Sequence, residues 1–84
     1  SIPHHERWKL PGSDWLYIKL FMPYDLQERF IAHHLLAFAN GLIQKNNVKK
    51  WFYVRYVDDE KHHLRVRFHI ANTESNDIIN DLYM

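Results

Sequence analysis

The sequence feature that most constrains the fold is the stretch from residue 50 to residue 70, KWFYVRYVDDEKHHLRVRFHI. Its two arms alternate by residue type with a period of two. This is the pattern of β-strands, because successive side chains of a strand point to opposite faces of the sheet. A polar, turn-prone segment separates the arms: Asp58-Asp59-Glu60-Lys61. The stretch therefore predicts a β-hairpin.

We predict that this alternation gives the hairpin one apolar face and one cationic face. The apolar face is predicted to hold Phe52, Val54, Tyr56, Leu64, Val66, Phe68 and Ile70. The opposite face is predicted to hold Trp51, Tyr53, Arg55, His63, Arg65, Arg67 and His69. Small polar residues or Lys would suffice on a solvated face, whereas converging guanidinium groups and aromatic rings favour the binding of an anion. The nearby arginines favour the neutral, proton-accepting form of His63 and His69.

A further strand is predicted upstream of the hairpin. Residues 14–20 alternate between aliphatic side chains and the aromatic or basic side chains of Trp15, Tyr17 and Lys19. Pro23 ends this run, since proline cannot donate a hydrogen bond to a neighbouring strand. The strand thus adds a second aromatic and basic row to the predicted sheet.

The segment between this strand and the hairpin predicts an amphipathic helix. Asp25 followed by Glu28 matches a capping box, and apolar residues then recur at steps of three and four. The helix is predicted to run to about Lys45, with Asn46 and Asn47 as its end.

The two ends of the chain carry weaker patterns. Residues 1–13 contain Pro3, Pro11 and Gly12 without periodicity, which predicts an extended lead-in or a linker. Residues 74–84 predict the beginning of another helix, with Thr73 as its N-cap. Residues 14–84 would then form one partial α+β domain.

The order of elements is strand, helix, strand, strand and the start of a helix. With a right-handed crossover and the second hairpin arm in the centre, this order gives half of a ferredoxin-like split βαβ unit. We therefore predict one helix on a three-stranded mixed sheet. Such a sheet leaves an edge and part of a face uncovered, which predicts a fragment of a larger domain or a homodimer.

Composition excludes several classes of protein. The chain of 84 residues has no cysteine, which excludes disulfides, a thiol nucleophile and cysteine metal sites. A net charge of +1 does not demand a polyanionic partner. No apolar run is long enough to cross a bilayer, so we expect a cytoplasmic protein without a membrane partner.

The seven histidines do not form a metal-binding pattern. Three adjacent pairs occur, but neighbouring residues diverge on a strand or helix, and no HExxH-like spacing is present. We expect neither a metal nor a cofactor. The aromatic RNA-binding motif of RRM sheets is also missing, because LRVRFHI places arginine where stacking aromatic residues should be.

Three segments resemble the opening of the C-terminal domain of class I lantibiotic dehydratases, a domain that also occurs as a thiopeptide-type bacteriocin biosynthesis protein. WLYIKL, WFYVRY with Asp58, and HLRVRF correspond to the family's W-x-Y-x-K-L, F-x-R-Y-x-D-P and H-L-R-L-R-F strands. Val66 replaces a leucine, and Asp59 replaces the usual proline. The resemblance covers residues 13–70, about the first third of the family's domain.

The resemblance implies a lyase-type role in antibiotic biosynthesis. In the family, one domain esterifies Ser or Thr of a precursor peptide with glutamate from glutamyl-tRNA, and the smaller domain eliminates the glutamate to form dehydroamino acids. By analogy, Arg65 and Arg67 would be catalytic arginines that hold the anion, with Arg55, His63, Tyr53 and His69 binding substrate. Because later parts of the family's domain complete the site, we expect these 84 residues to be inactive alone.

Alternatives remain open at this point. Related domains build a pyridine ring from two dehydroalanines. A non-catalytic module could hold an acidic peptide or RNA on the cationic face, and a structural fragment could associate through its open sheet. The interpretation without a binding function is a solvated or domain-covered sheet face whose arginines form ion pairs with carboxylates from other parts of the protein.

Overall fold

In the part of the chain that the structure describes, four strands form a single sheet, and a long helix covers one of its faces. The computed structural model describes residues 4–9, 13–59 and 61–71. Its elements are β1 (His4–Trp8), β2 (Trp15–Phe21), α1 (Tyr24–Phe30), a π-helical turn (Ile31–Leu35), α2 (Leu36–Gln44), β3 (Val48–Asp58) and β4 (Lys61–Ile70). The predicted second helix, with Thr73 as its cap, lies outside these residues.

The strand order is β1-β2-β4-β3, and every neighbouring pair is antiparallel. The predicted α+β class and the central position of the second hairpin arm are confirmed. The predicted three-stranded mixed sheet is wrong, because β1 adds a fourth strand and the neighbouring strands that the structure describes are all antiparallel. β1 lies within the segment predicted as an extended lead-in. It was missed because its five residues, HHERW, show no apolar alternation.

The core lies between the sheet and the helix, on what we call the helix side. β2 and β4 alternate as predicted, and their aliphatic and aromatic side chains on this side are buried. The buried apolar residues are Leu16, Ile18, Leu20, Ile31, Leu35, Ala39, Leu42, Val48, Leu64, Val66, Phe68 and Ile70. Burial of this set supplies the main driving force for folding.

The side chains of β3 point to the faces opposite to those predicted. Asp58 pairs with Lys61, so two residues connect the hairpin, and Phe52 then pairs with Arg67. Residues directly opposite each other in an antiparallel pair share a face. Phe52, Val54 and Tyr56 therefore lie with the arginines of β4, while Trp51, Tyr53 and Arg55 lie on the helix side.

This correction has a physical reason in the register of the hairpin. The predicted apolar face would need a loop with an odd number of residues, because a one-residue slip exchanges the two faces of a strand. A bulge between Val48 and Lys50 exchanges the two faces of the strand once more. Val48 therefore lies opposite Ile70 and is buried on the helix side. Turn length and bulge position override hydrophobic alternation on this edge strand.

The helix differs from its prediction at the beginning and agrees with it at the end. It starts at Tyr24 after Pro23, and no side chain caps it, so the predicted capping box is wrong. At the end, Asn46 adopts a left-handed conformation with φ of 60°. The N–H groups of Asn46 and Asn47 donate to the carbonyls of Ile43 and Leu42. This is a Schellman motif, which satisfies two carbonyl groups at the helix end.

The π-helical turn sets which residues of the helix are buried. In an α-helix, residues spaced four apart drift gradually around the axis, because one turn contains fewer than four residues. A π-turn contains more residues than an α-helical turn, so it offsets this drift and keeps such residues on one side of the helix. Gln27, Ile31, Leu35 and Ala39 consequently form one buried line, whereas Leu26 is 50% exposed. The Nε2 of Gln27 donates to the carbonyl of Met22, but its buried Oε1 has no partner among the described residues.

We expect two phenylalanines of the hairpin to differ sharply in their effect on stability. Phe68→Ala should lower the free energy of unfolding by about 3–5 kcal/mol, since its buried ring leaves a cavity. Phe52→Ala should cost only about 1 kcal/mol, because that ring is 42% exposed and mainly covers a guanidinium. Urea unfolding of both variants measures the difference. Equal losses would restore the predicted placement of Phe52 in the core.

Candidate functional site

The face opposite the helix, which we call the outer face, brings cations and aromatic rings from neighbouring strands together. The register places Trp8 of β1 beside Tyr17 of β2, and Tyr17 beside Arg67 of β4. The described residues on this face are Glu6, Trp8, Trp15, Tyr17, Lys19, Phe21, Lys50, Phe52, Val54, Tyr56, Asp58, Lys61, His63, Arg65, Arg67 and His69. The prediction that Arg65 and Arg67 lie together on the central strand is confirmed.

Arg67 lies between two aromatic rings. Its guanidinium carbon is 5.2 Å from the ring centre of Tyr17 and 5.5 Å from that of Phe52. Such contacts hold a cation by attraction to the ring faces. No carboxylate of the described residues lies within ion-pair distance of Arg67. Arg67 is therefore held in place by two rings, while its N–H groups have no carboxylate partner among the described residues.

Arg65, by contrast, is held by three groups. Its guanidinium carbon lies 3.7 Å from the ring centre of Tyr56. Its Nε donates to Nε2 of His63 at 3.0 Å, and its Nη2 lies 3.4 Å from Oδ2 of Asp58. The hydrogen bond to His63 has good length, whereas the ion pair is long and partly exposed. These contacts fix the orientation of Arg65 beside Arg67.

His63 is fully buried and serves to position Arg65. Its ring lies 5.2 Å from that of Phe21 and 5.7 Å from that of Tyr56. Because Nε2 accepts the hydrogen bond from Arg65, the ring is neutral and its proton is on Nδ1. Nδ1 faces the carbonyl of Lys61 at 3.4 Å. A substrate on the outer face would not reach this ring directly.

His69 lies at the other end of β4, against Trp15. The two rings stack at 4.8 Å with an angle of 12°, and Nζ of Lys50 lies 5.7 Å from the Trp15 ring centre. Nδ1 of His69 is buried and has no hydrogen-bond partner among the described residues. The contact with Trp15 holds this histidine at the periphery of the arginine pair.

A pocket of about 170 Å³ opens on the outer face between β1, β2 and β4. Trp8 and Tyr17 stack at 5.6 Å, and Nζ of Lys19 lies 6.0 Å from the Trp8 ring centre. The pocket is lined by Trp8, Tyr17, Ile18, Lys19, Arg65, Val66 and Arg67. Three cations around a small cavity with aromatic walls suit a small organic anion better than a long polymer.

Two predicted substrate-binding residues lie on the wrong side of the sheet for this pocket. Arg55 is on the helix side, where its guanidinium carbon lies 5.0 Å from the ring centre of Tyr24. Tyr53 is on the same side and stacks with Trp51 at 6.0 Å. Both residues lie on the helix side because the two-residue turn exchanges the faces of β3 relative to the prediction.

Sequence reasoning missed several residues of the outer face. Trp8 was assigned to the lead-in, and Phe52, Val54 and Tyr56 were assigned to the apolar face. The two-residue turn could have revealed Phe52 and Tyr56, because it pairs them with Arg67 and His63. Trp8 had no such signal, since its position depends on pairing between β1 and β2.

The residues that the structure describes contain neither a metal-binding cluster nor a membrane-spanning helix. No three His, Asp or Glu side chains within them could jointly hold a metal ion. None of the helices in these ranges is long and apolar enough to cross a membrane.

Comparison with known proteins places these strands in context. The sequence model of the family described as lantibiotic biosynthesis dehydratase C-term matches residues 15–83. The subtilin biosynthesis protein SpaB of Bacillus subtilis is 38% identical over 63 residues, which are 75% of this chain and 6% of SpaB. The epidermin biosynthesis protein EpiB of Staphylococcus epidermidis is 38% identical over 48 residues, 57% of this chain and 5% of EpiB.

The chain thus spans about a twentieth of the length of these curated relatives. No solved structure matches it. β1, with Trp8, precedes the residues that the family model matches.

We expect His63 to keep its proton on Nδ1 as long as Arg65 donates to Nε2. Replacing Arg65 with Lys removes the Nε donor and should allow both neutral tautomers. Nitrogen chemical shifts of the histidine ring in NMR spectra distinguish these states. Arg67→Lys is the matched control and should leave His63 unchanged, because Arg67 makes no hydrogen bond to it. A tautomer protonated on Nε2 in the unaltered protein would contradict the hydrogen bond.

Proposed function

We propose that this chain, which belongs to the family of lantibiotic biosynthesis dehydratase C-terminal domains, forms part of a site that eliminates glutamate from a precursor peptide. The substrate would be a peptide with glutamylated Ser or Thr residues, and the product would contain dehydroamino acids. Family membership and the identity to SpaB and EpiB support a role in lantibiotic biosynthesis. The elimination step and its residue assignments are our proposal.

The observation that carries the proposal is the state of Arg67. This arginine is held between Tyr17 and Phe52, lines a small pocket and has no carboxylate partner among the described residues. A positioned cation without an internal counterion favours binding of a substrate anion. An arginine with a purely structural role would more often pair with a carboxylate of its own protein.

Elimination requires the loss of one proton and one leaving group. A base removes the α-proton of the esterified residue, the electron pair forms the Cα–Cβ double bond, and the Cβ–O bond breaks to release glutamate as its carboxylate. Arg67 would hold the departing carboxylate. Arg65, oriented by Asp58 and His63, would stabilise the enolate that develops on the peptide carbonyl.

The base is assigned to the part of the family domain that follows these residues. His63 is not suited to this role, because it is fully buried and its Nε2 already accepts a hydrogen bond from Arg65. His69 is partly covered by Trp15. A domain or protein that uses glutamyl-tRNA would supply the glutamylated peptide.

We predict that Arg67→Lys in the complete dehydratase blocks elimination and leaves glutamylation intact. Lysine keeps the charge but loses the planar, bidentate donor, so elimination should fall by about 100-fold or more. Mass spectrometry should then detect peptide with adducts of about 129 Da, the mass of a glutamyl residue, as expected when only ester cleavage is lost.

Arg55→Lys is the matched control, because Arg55 belongs to the same hairpin but lies on the helix side. This variant should eliminate glutamate at a rate close to that of the unaltered enzyme. Normal dehydration by Arg67→Lys, or adducts with Arg55→Lys alone, would overturn the assignment of the outer face.

The outer face should bind generic tRNA only weakly. Its cations are held against aromatic rings around a small pocket, and Asp58 and Asp59 lie at the end of β3, where they would repel a polyanion. Titration of the chain with tRNA at several salt concentrations measures this. Tight binding that weakens steeply with salt and disappears in Arg65→Ala would favour the RNA-binding alternative.

A further inference from the structure

We propose that the free edge of β3 pairs with β3 of a second copy of this chain. β3 is the longest strand of the sheet, with 11 residues, and its other edge pairs with β4. No strand among the described residues pairs with the free edge. This inference concerns assembly and does not depend on the proposed elimination reaction.

Between Trp51 and Val57, the free edge has few of the features that usually prevent pairing. Its bulge lies near the start of the strand, it contains no proline, and Arg55 is the only charged residue from position 51 to position 57. Apolar and aromatic side chains of this stretch are exposed on both faces: Phe52 42%, Tyr53 37%, Val54 43%, Tyr56 45% and Val57 53%. A long, apolar, unprotected edge is a site for pairing with another strand.

The order of side chains on the outer face identifies the partner. Read along β3, this face presents a cation, an aromatic ring, an aliphatic side chain, an aromatic ring and an anion. These residues are Lys50, Phe52, Val54, Tyr56 and Asp58. The row is therefore complementary to itself when reversed about Val54, which is the property required of a two-fold interface.

An antiparallel pair centred on Val54 uses every position of this row. Lys50 of each copy lies opposite Asp58 of the other, Phe52 lies opposite Tyr56, and the two Val54 residues face each other. Opposite charges and aromatic pairs stabilise neighbouring strands when they lie directly opposite. A two-fold axis perpendicular to the sheet keeps both outer faces on the same side.

The helix side of β3 fits the same register. Trp51 lies opposite Val57, and Tyr53 lies opposite Arg55, a pairing that allows a cation–π contact. Shifting the centre by one residue to Arg55 would place two arginines directly opposite each other, which is unfavourable. A centre at Tyr53 would leave Lys50 opposite Tyr56 and Asp58 without its lysine partner. The register centred on Val54 is therefore favoured.

This pairing would join the two outer faces into one surface. Each copy contributes four described strands, and the two β4 strands would lie three strand spacings apart, about 14 Å. The arginine pairs of both copies would then face the same side of a continuous sheet.

A cysteine placed on the two-fold axis tests the register. The chain has no cysteine of its own, so Val54→Cys introduces a single thiol. In the proposed pair, the two substituted residues lie opposite each other at about 5 Å between Cα atoms, a separation that permits a disulfide. Mild oxidation should therefore convert most of this variant into a covalent dimer.

Phe52→Cys is the matched control on the same strand and face. Its two thiols would be offset by four residues, about 13 Å along the strands, and should not link to each other. Mixing Phe52→Cys with Tyr56→Cys should restore the link, because these positions are opposite each other in the proposed register. Equal linking of Val54→Cys and Phe52→Cys, or no linking in the mixture, would overturn the register.

Sedimentation of the 84-residue chain tests the association itself. The mass should rise from 10.3 kDa towards twice that value with concentration. Val54→Lys should remain monomeric, since it places two like charges together, whereas Leu36→Lys should dimerise normally. Leu36 lies on the helix and is 41% exposed, compared with 43% for Val54. Circular dichroism confirms that both variants fold. A concentration-independent monomer, or dimers of Val54→Lys, would overturn the proposal.

Discussion

The pairing of β4 with strands on both sides is the constraint on which the rest of this structure depends. From Leu64 to Ile70, β4 alternates between buried apolar residues and partly exposed arginine or histidine residues, so one face must be covered by the core and the other must stay accessible. A slip of one residue would bury Arg65 and Arg67 against the helix without carboxylate partners, at a cost of several kcal/mol. The core and the outer face are therefore specified by the same hydrogen-bonded strand.

The outer face shows how a cationic surface can be held in place with few ion pairs. Arg67 and Arg65 lie against tyrosine and phenylalanine rings at distances from 3.7 to 5.5 Å. The rings restrict the motion of the guanidinium groups and partly exclude water, which strengthens their attraction for an anion. The apolar residues of β3 thus have a role on the outer face that core packing alone would not explain.

The two edges of the sheet differ in what they contribute. β1 extends the sheet beyond β2 and brings Trp8 to the wall of the pocket, although it precedes the residues matched by the family model. β3 leaves a self-complementary edge next to the arginines. The pocket therefore depends on one edge strand, and the proposed assembly depends on the other.

The sequence by itself determined the α+β class, the helix end at Asn46 and the two faces of β2 and β4. It also determined that Arg65 and Arg67 lie on the same face of the central strand. These features follow from residue type and local periodicity, because one face of each central strand is buried and its alternation is unambiguous. The resemblance to the dehydratase family was likewise present in the residues of these strands.

Only the tertiary structure decided which side chains of β3 lie on which face of the sheet, the presence of β1 and the composition of the pocket. Both faces of β3 carry apolar and charged residues and remain partly exposed, so hydrophobicity does not distinguish them. The face to which each β3 side chain points is set by hydrogen bonds to β4, by a two-residue turn and by a bulge. The position of Trp8 depends on the pairing of β1 with β2. Such registers are properties of neighbouring strands together, and neither strand specifies them alone.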